Sequence, residues 1–160
     1  MLFHIIMSVP IAKGIFFVAI VEIGNQFLDY QVLKGMTDNL LLAGRCRCRY
    51  PRKLEADLWA REAVFSTGLG FSFAIPHSKS EHIEQSTISV ARLQAPVRWG
   101  DDEAQFIIML TLNKHAAGDQ HMRIFSRLAR RIMHEEFRNA LVNAASADAI
   151  ASLLQHELEL

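Results

Sequence analysis

The chemistry most plainly written into this chain surrounds His77. It closes the run Ser66-Thr67-Gly68-Leu69-Gly70-Phe71-Ser72-Phe73-Ala74-Ile75-Pro76-His77. A neutral imidazole is a competent nucleophile and can carry a covalent intermediate. Phosphorus is a fitting electrophile, because phosphoryl transfer asks the protein for positioning and charge stabilisation rather than covalent help. The means lie close by in sequence. Ser66 and Thr67 bring hydroxyls, while Gly68 and Gly70 let backbone N–H groups approach an anion closely. Arg61, a few residues upstream, offers a forked donor suited to phosphate. Each has a plainer reading. A histidine after a strand is often structural, and Arg61 has the spacing to pair with Asp57 at i−4.

Other chemistries find less support. None of the seven histidines sits in an H-E-x-x-H; His134-Glu135-Glu136 lacks the second histidine, and His77 and His82 flank a loop. No metal or other cofactor is therefore expected. His82, His115, His134 and His156 read as surface residues. The chain has no Walker motif, no G-x-G-x-x-G and no G-x-S-x-G, which leaves nucleotide binding and serine hydrolysis without a signal. Cys46 and Cys48 form a C-x-C too tight for a disulfide framework, with no second pair to complete a zinc site. They read as reduced thiols, which points to the cytoplasm.

The elements that must position His77 follow from periodicity. Gln31–Ala43 carries apolar residues at helical spacing and stops at Gly44; Pro51 opens a helix through about Ala63. Phe71, Phe73 and Ile75 alternate with Ser72 and Ala74, which predicts a strand over 71–75 ended by Pro76. Thr87–Leu93 reads as another strand, Gly100-Asp101-Asp102 as a turn, and Phe106–Leu112 as a central strand covered on both faces. Gln120–Met133 is an amphipathic helix with Arg123, Arg127, Arg130 and Arg131 off its apolar face, usually a solvated surface. Phe137 and Leu141 mark a short helix, and Ser146 caps a last one with Asp148 in its first turn. Intermingled strands and helices give a layered α/β domain with a mainly buried sheet.

At 160 residues, 51% hydrophobic and 21% charged, the chain suits one globular domain. Lys+Arg and Asp+Glu are 17 each, and this balance gives no basic field for nucleic acid. A basic cluster does occur locally at Arg45, Arg47, Arg49, Arg52 and Lys53. The apolar N-terminal stretch is broken by Lys13 and Glu22, so it fits neither a stable membrane span nor a secretory signal. Ile15–Val21 reads as a buried strand. Residues 1–14 read as a poorly anchored extension before one domain over 15–160.

The motifs also form a family pattern. Arg61-Glu62, Ser66-Thr67-Gly68-Leu69-Gly70, Phe73-Ala74-Ile75-Pro76-His77, Pro96-Val97-Arg98-Trp99 and His121-Met122-Arg123-Ile124 resemble, in that order, the enzyme IIA domain of the fructose–mannitol branch of the bacterial sugar phosphotransferase system (type 2). The resemblance runs from about Gln31 to the end. It departs where Gly70-Phe71-Ser72 replaces the common Gly-Asn-Gly, and where Ser78 stands in place of glycine. The lost glycines narrow the backbone's approach to phosphate, and Ser78 adds a hydroxyl.

The resemblance implies an α/β fold, a three-layer α/β/α sandwich with a mixed central sheet flanked by helices, and a phosphotransferase with a phosphohistidine intermediate. His77 matches the phosphorylated histidine, His121 a second active-site histidine, and Arg61 the charge-stabilising arginine. Thr67, Ser66, Gly68 and Ser78 are the expected phosphate-binding residues. Phospho-HPr, or a fused HPr-like domain, is the expected donor, and an enzyme IIB partner the acceptor, for sugar uptake. The alternative is a nitrogen-type regulatory module in which phosphate on His77 switches protein contacts. A degenerate copy that no longer transfers is a third reading.

Overall fold

A computed structural model describes residues 4–11, 16–23, 29–42, 51–115 and 120–159, with side chains for 31–38, 40, 52–115 and 122–159. Strands β1 (His4–Ile11) and β2 (Phe16–Ile23) lead to helices α1 (Asp29–Leu42) and α2 (Pro51–Val64). Short strands β3 (Gly68–Gly70), β4 (Phe73–Ala74) and β5 (His77–Ser80) follow, then the long β6 (Thr87–Trp99) and β7 (Asp102–Asn113). The chain ends in α3 (Gln120–Ile132), α4 (Glu135–Val142) and α5 (Ala147–Leu158).

The seven strands form one mixed sheet in the order β1-β2-β6-β7-β4-β3, with β5 also paired to β7. β2 runs parallel to β6, β6 antiparallel to β7, and β4 and β5 both parallel to β7. Within the segment 1–14, His4–Ile11 is the edge strand paired to β2, from His4 opposite Glu22 to Ile11 opposite Phe16.

β7 shows why its sequence is apolar throughout. Phe106, Ile108 and Leu110 join a core with Ile124, Leu128 and Ile132 of α3, and with α4 and α5. Ile107 and Met109 face the other way, onto Met36 of α1 and Leu54 and Leu58 of α2. A strand covered on both faces loses the polar half of its alternation. The result is the expected three-layer α/β/α arrangement, with α3–α5 on one side and α1–α2 on the other. Ser146 caps α5 as its sequence suggests, its Oγ accepting from Ala149 N at 3.1 Å.

The stretch 71–75 departs from the expected single strand. Gly70, Phe71 and Ser72 all take positive φ (75°, 56° and 65°), forming a tight reversal between β3 and β4. The alternating phenylalanines look the same in sequence whether a strand or a hairpin carries them. Pro76 then interrupts pairing, and the chain rejoins β7 at His77, opposite Leu110. His77 therefore opens a strand rather than following one. The two cysteines and Arg45–Arg49 lie outside the described residues.

Candidate active site

Arg61 lies in the last turn of α2. β5 pairs with β7, and α2 reaches the histidine at its N-terminal end. There Arg61 Nε donates to His77 Nε2 at 3.0 Å, and Arg61 Nη1 donates to the Phe65 carbonyl at 2.9 Å. The i−4 pairing with Asp57 is not among its contacts. His77 Nδ1 lies 2.9 Å from the Ile75 carbonyl. These two bonds fix the tautomer. A guanidinium can only donate and a carbonyl can only accept, so Nδ1 carries the proton and Nε2 the lone pair.

The ring is half buried, and its other face rests against Phe125 of α3, centroids 4.6 Å apart. Burial holds the imidazole's pKa below its ordinary value of about 6.5. The Ile75 carbonyl opposes that shift, Arg61 reinforces it and Glu62 opposes it. The net effect favours the neutral, nucleophilic form near neutral pH.

The loop before β3 is fastened from below. Both oxygens of Glu62 are used: Oε1 accepts Thr67 N at 2.8 Å and Oε2 accepts Thr67 Oγ1 at 2.5 Å. Trp99 Nε1 in turn donates to Thr67 Oγ1 at 3.2 Å. Ser66 Oγ accepts from Gly68 N at 3.3 Å. Glycine at 68 is explained by packing, since an added Cβ would lie 3.1 Å from Asp102 Oδ2 and 3.4 Å from the Trp99 carbonyl.

The expected site residues thus fall into groups. Arg61 and His77 touch. Ser66 and Thr67 lie in the loop that accepts one arm of Arg61, with the Thr67 hydroxyl committed to Glu62 and Trp99, and Gly68 opens β3 just beyond it. Ser78 is buried, and strand alternation turns it to the opposite face of the sheet from the His77 ring. His121 lies in the first turn of α3, one turn before Phe125; its side chain is outside those described. The sequence reading assigned no role to Glu62, Trp99 or Phe125. Glu62 and Trp99 sit inside quoted motifs, but nothing in a linear sequence reveals that they meet on Thr67.

Of the altered glycine positions, Ser78 adjoins His77 in β5, while the 70–72 turn lies elsewhere. Phe73, which follows the turn, pairs with Phe106 and His77 with Leu110, four residues along β7, so Phe73 lies about 13 Å along the sheet from the histidine at ~3.3 Å per residue. A cavity of about 410 Å³ opens at that far end, between Phe71, Phe73, Arg92, Phe106 and Val142, and His77 does not line it.

Residues 18–157 match the sequence profile of the family described as phosphoenolpyruvate-dependent sugar phosphotransferase system, EIIA 2. The chain belongs to this family. As an EIIA type-2 domain it belongs to a phosphotransferase system. It is similar to multiphosphoryl transfer protein 2 of Escherichia coli (strain K12), 98% identical over 130 residues, covering 81% of this chain and 15% of that protein. The EIIA type-2 domain described here therefore spans about 15% of the length of this curated relative. Two solved structures share its fold. Nitrogen regulatory protein IIA-Ntr from Neisseria meningitidis has TM-score 0.74 at 23% identity, covering 86% of this chain and 92% of that one. Enzyme IIA mannitol from Escherichia coli, solved in complex with phosphorylated enzyme IIB mannitol, has TM-score 0.65 at 20% identity, covering 91% and 96%. Among the described residues no helix is long and apolar enough to cross a membrane.

Proposed function

We propose that His77 Nε2 accepts a phosphoryl group from phospho-HPr, or from an HPr-like domain fused to the same polypeptide, and passes it to an enzyme IIB partner. One observation carries this reading. The tautomer is fixed with the lone pair on Nε2, and a guanidinium sits on that atom. In the transfer, the Nε2 lone pair attacks phosphorus as the bond to the donor breaks, its electrons leaving on the donor. No proton need move, because Nδ1–H stays on the Ile75 carbonyl and stabilises the positive ring. Arg61 Nε–H exchanges the nitrogen for a phosphoryl oxygen. A donor already aimed at the reacting atom is preorganised for the incoming charge.

His121, in the first turn of α3, is the proposed second histidine holding the phosphoryl oxygens. Ser66 and the Gly68 N–H are proposed donors on the loop side, with Ser78 less directly placed. Onward transfer to a cysteine or histidine of enzyme IIB reverses the first step. The mannitol enzyme IIA of the same fold, solved with its phosphorylated IIB, supports that class of acceptor. The motif resemblance supports a sugar of the fructose–mannitol branch and a cytoplasmic setting.

The test is phosphorylation by phosphoenolpyruvate, enzyme I and HPr. Wild type and His82→Ala are expected to take up one acid-labile phosphate, and His77→Ala none. Label retained in His77→Ala would dispose of the assignment.

A further inference from the structure

We infer that Glu62, Thr67 and Trp99 form a positioning relay that sets the tautomer of His77 and the aim of Arg61; the inference rests on His77 being the phosphoryl acceptor. Thr67 is the hub, 6% exposed, and Trp99 at the end of β6 is 1% exposed. The Thr67 side chain has one proton to give, and gives it to a carboxylate. It accepts from the buried indole. Its backbone N–H goes to the other carboxylate oxygen, and its carbonyl accepts from Ile75 N at 3.0 Å.

Each bond leads to something that touches the histidine. Ile75 supplies the carbonyl that holds the proton on Nδ1. Two residues before Thr67, the Phe65 carbonyl takes one arm of Arg61, leaving Nε directed at Nε2. Glu62 is the residue after Arg61 on α2, so one carboxylate ties the helix end to the loop. Hydrogen bonds to an ionised carboxylate are the strong kind, and buried polar groups that are fully satisfied rigidify their surroundings. For Thr67 Oγ to bind phosphate instead, it would have to release Glu62 and leave that negative charge beside the anion. The geometry therefore makes Thr67 a positioning residue and keeps the Glu62 charge occupied.

The relay is tested on the unphosphorylated protein and, separately, in transfer. Thr67→Val removes the hydroxyl, and Trp99→Phe removes only the indole donor. In both, NMR of ¹⁵N-histidine-labelled protein is expected to show the Nδ1–H form of His77 losing population. The maximal rate of phosphoryl acceptance is expected to fall about 10–100-fold, the usual effect of losing an orienting partner. The donor concentration for half-maximal rate should stay nearly constant, and Thr67→Ser should recover most of the rate. Glu62→Gln should move the His77 titration further below its ordinary value, since the carboxylate favours the charged ring.

If Thr67→Val fails to fold, Trp99→Phe alone decides. A wild-type tautomer and rate in the folded variants would overturn the relay, as would a loss seen only in donor affinity. The two readings fail separately. A wild-type protein that takes no phosphate but whose tautomer responds to Thr67 defeats the acceptor role and leaves the relay standing.

Discussion

His77 is held neutral in two senses, by hydrogen bonds that assign its proton and by burial that resists a second one. The second sense has a consequence for stability. Well above pH ~6.5 the ring is neutral folded or unfolded and contributes nothing pH-dependent. Below that value the unfolded ring gains its proton first, because the folded pKa is lowered. The unfolded state then binds more protons, so stability falls as pH drops from about 6.5 through the folded value. Urea midpoints at pH 7.5, 6.5 and 5.5 should decline more steeply for wild type than for His77→Gln. Parallel declines would show that the ring does not titrate differently in the fold. At this scale the sequence was partly legible. Arg61 and His77 were singled out because each lies in a short motif that a linear sequence displays, and the fold brings the two side chains together. The choice of Nε2 over Nδ1 was not, because it depends on a carbonyl two residues back and a guanidinium sixteen residues away.

Among the elements, the 70–72 turn shows a local conflict. Positive φ suits glycine or asparagine, and costs other residues about 1–2 kcal/mol each. Here Phe71 and Ser72 both adopt it. Phe71 recovers part of that cost, since the Arg138 guanidinium lies 3.9 Å above its ring, a contact worth about 0.5–1 kcal/mol when exposed. Ser72 accepts backbone bonds from Gln105 and Phe106, but through its carbonyl, which any residue supplies. Ser72→Gly should therefore stabilise the domain by about 0.5–1 kcal/mol, raising the urea midpoint at unchanged slope. Phe71→Gly should gain less. Equal gains would mean that Arg138 contributes nothing. Helices α1 to α5 were legible to within a few residues, α1 and α3 from their apolar periodicity, and α2, α4 and α5 from Pro51, from the Phe137–Leu141 pair and from the Ser146 cap. The hairpin was not, because β3 and β4 span three and two residues, and after Gly70 two positive-φ positions of the turn hold Phe71 and Ser72 in place of the glycine or asparagine that usually announces one.

For the molecule as a whole, the layered class was legible from the mixture of elements and from the unbroken apolar run of β7. The strand order was not, since hydrophobic patterning says which strands are buried and little about their neighbours. That order sets how the domain comes together. β6 and β7 pair from Thr87 opposite Thr111 to Trp99 opposite Asp102, across a turn of only Gly100 and Asp101. β2, by contrast, must find β6 with Val18 beside Ile88, enclosing everything between. Short loops close at least entropic cost, so the central hairpin should organise first and the parallel partner join late. Ile108→Val should then mainly slow folding, while Leu33→Ala, on α1, should mainly hasten unfolding. The reverse pattern in stopped-flow kinetics would refute this sequence of events. The His77 ring, on a four-residue strand outside that hairpin, would then acquire its surroundings only after the scaffold has set, so a chain arrested midway would carry an ordinary histidine.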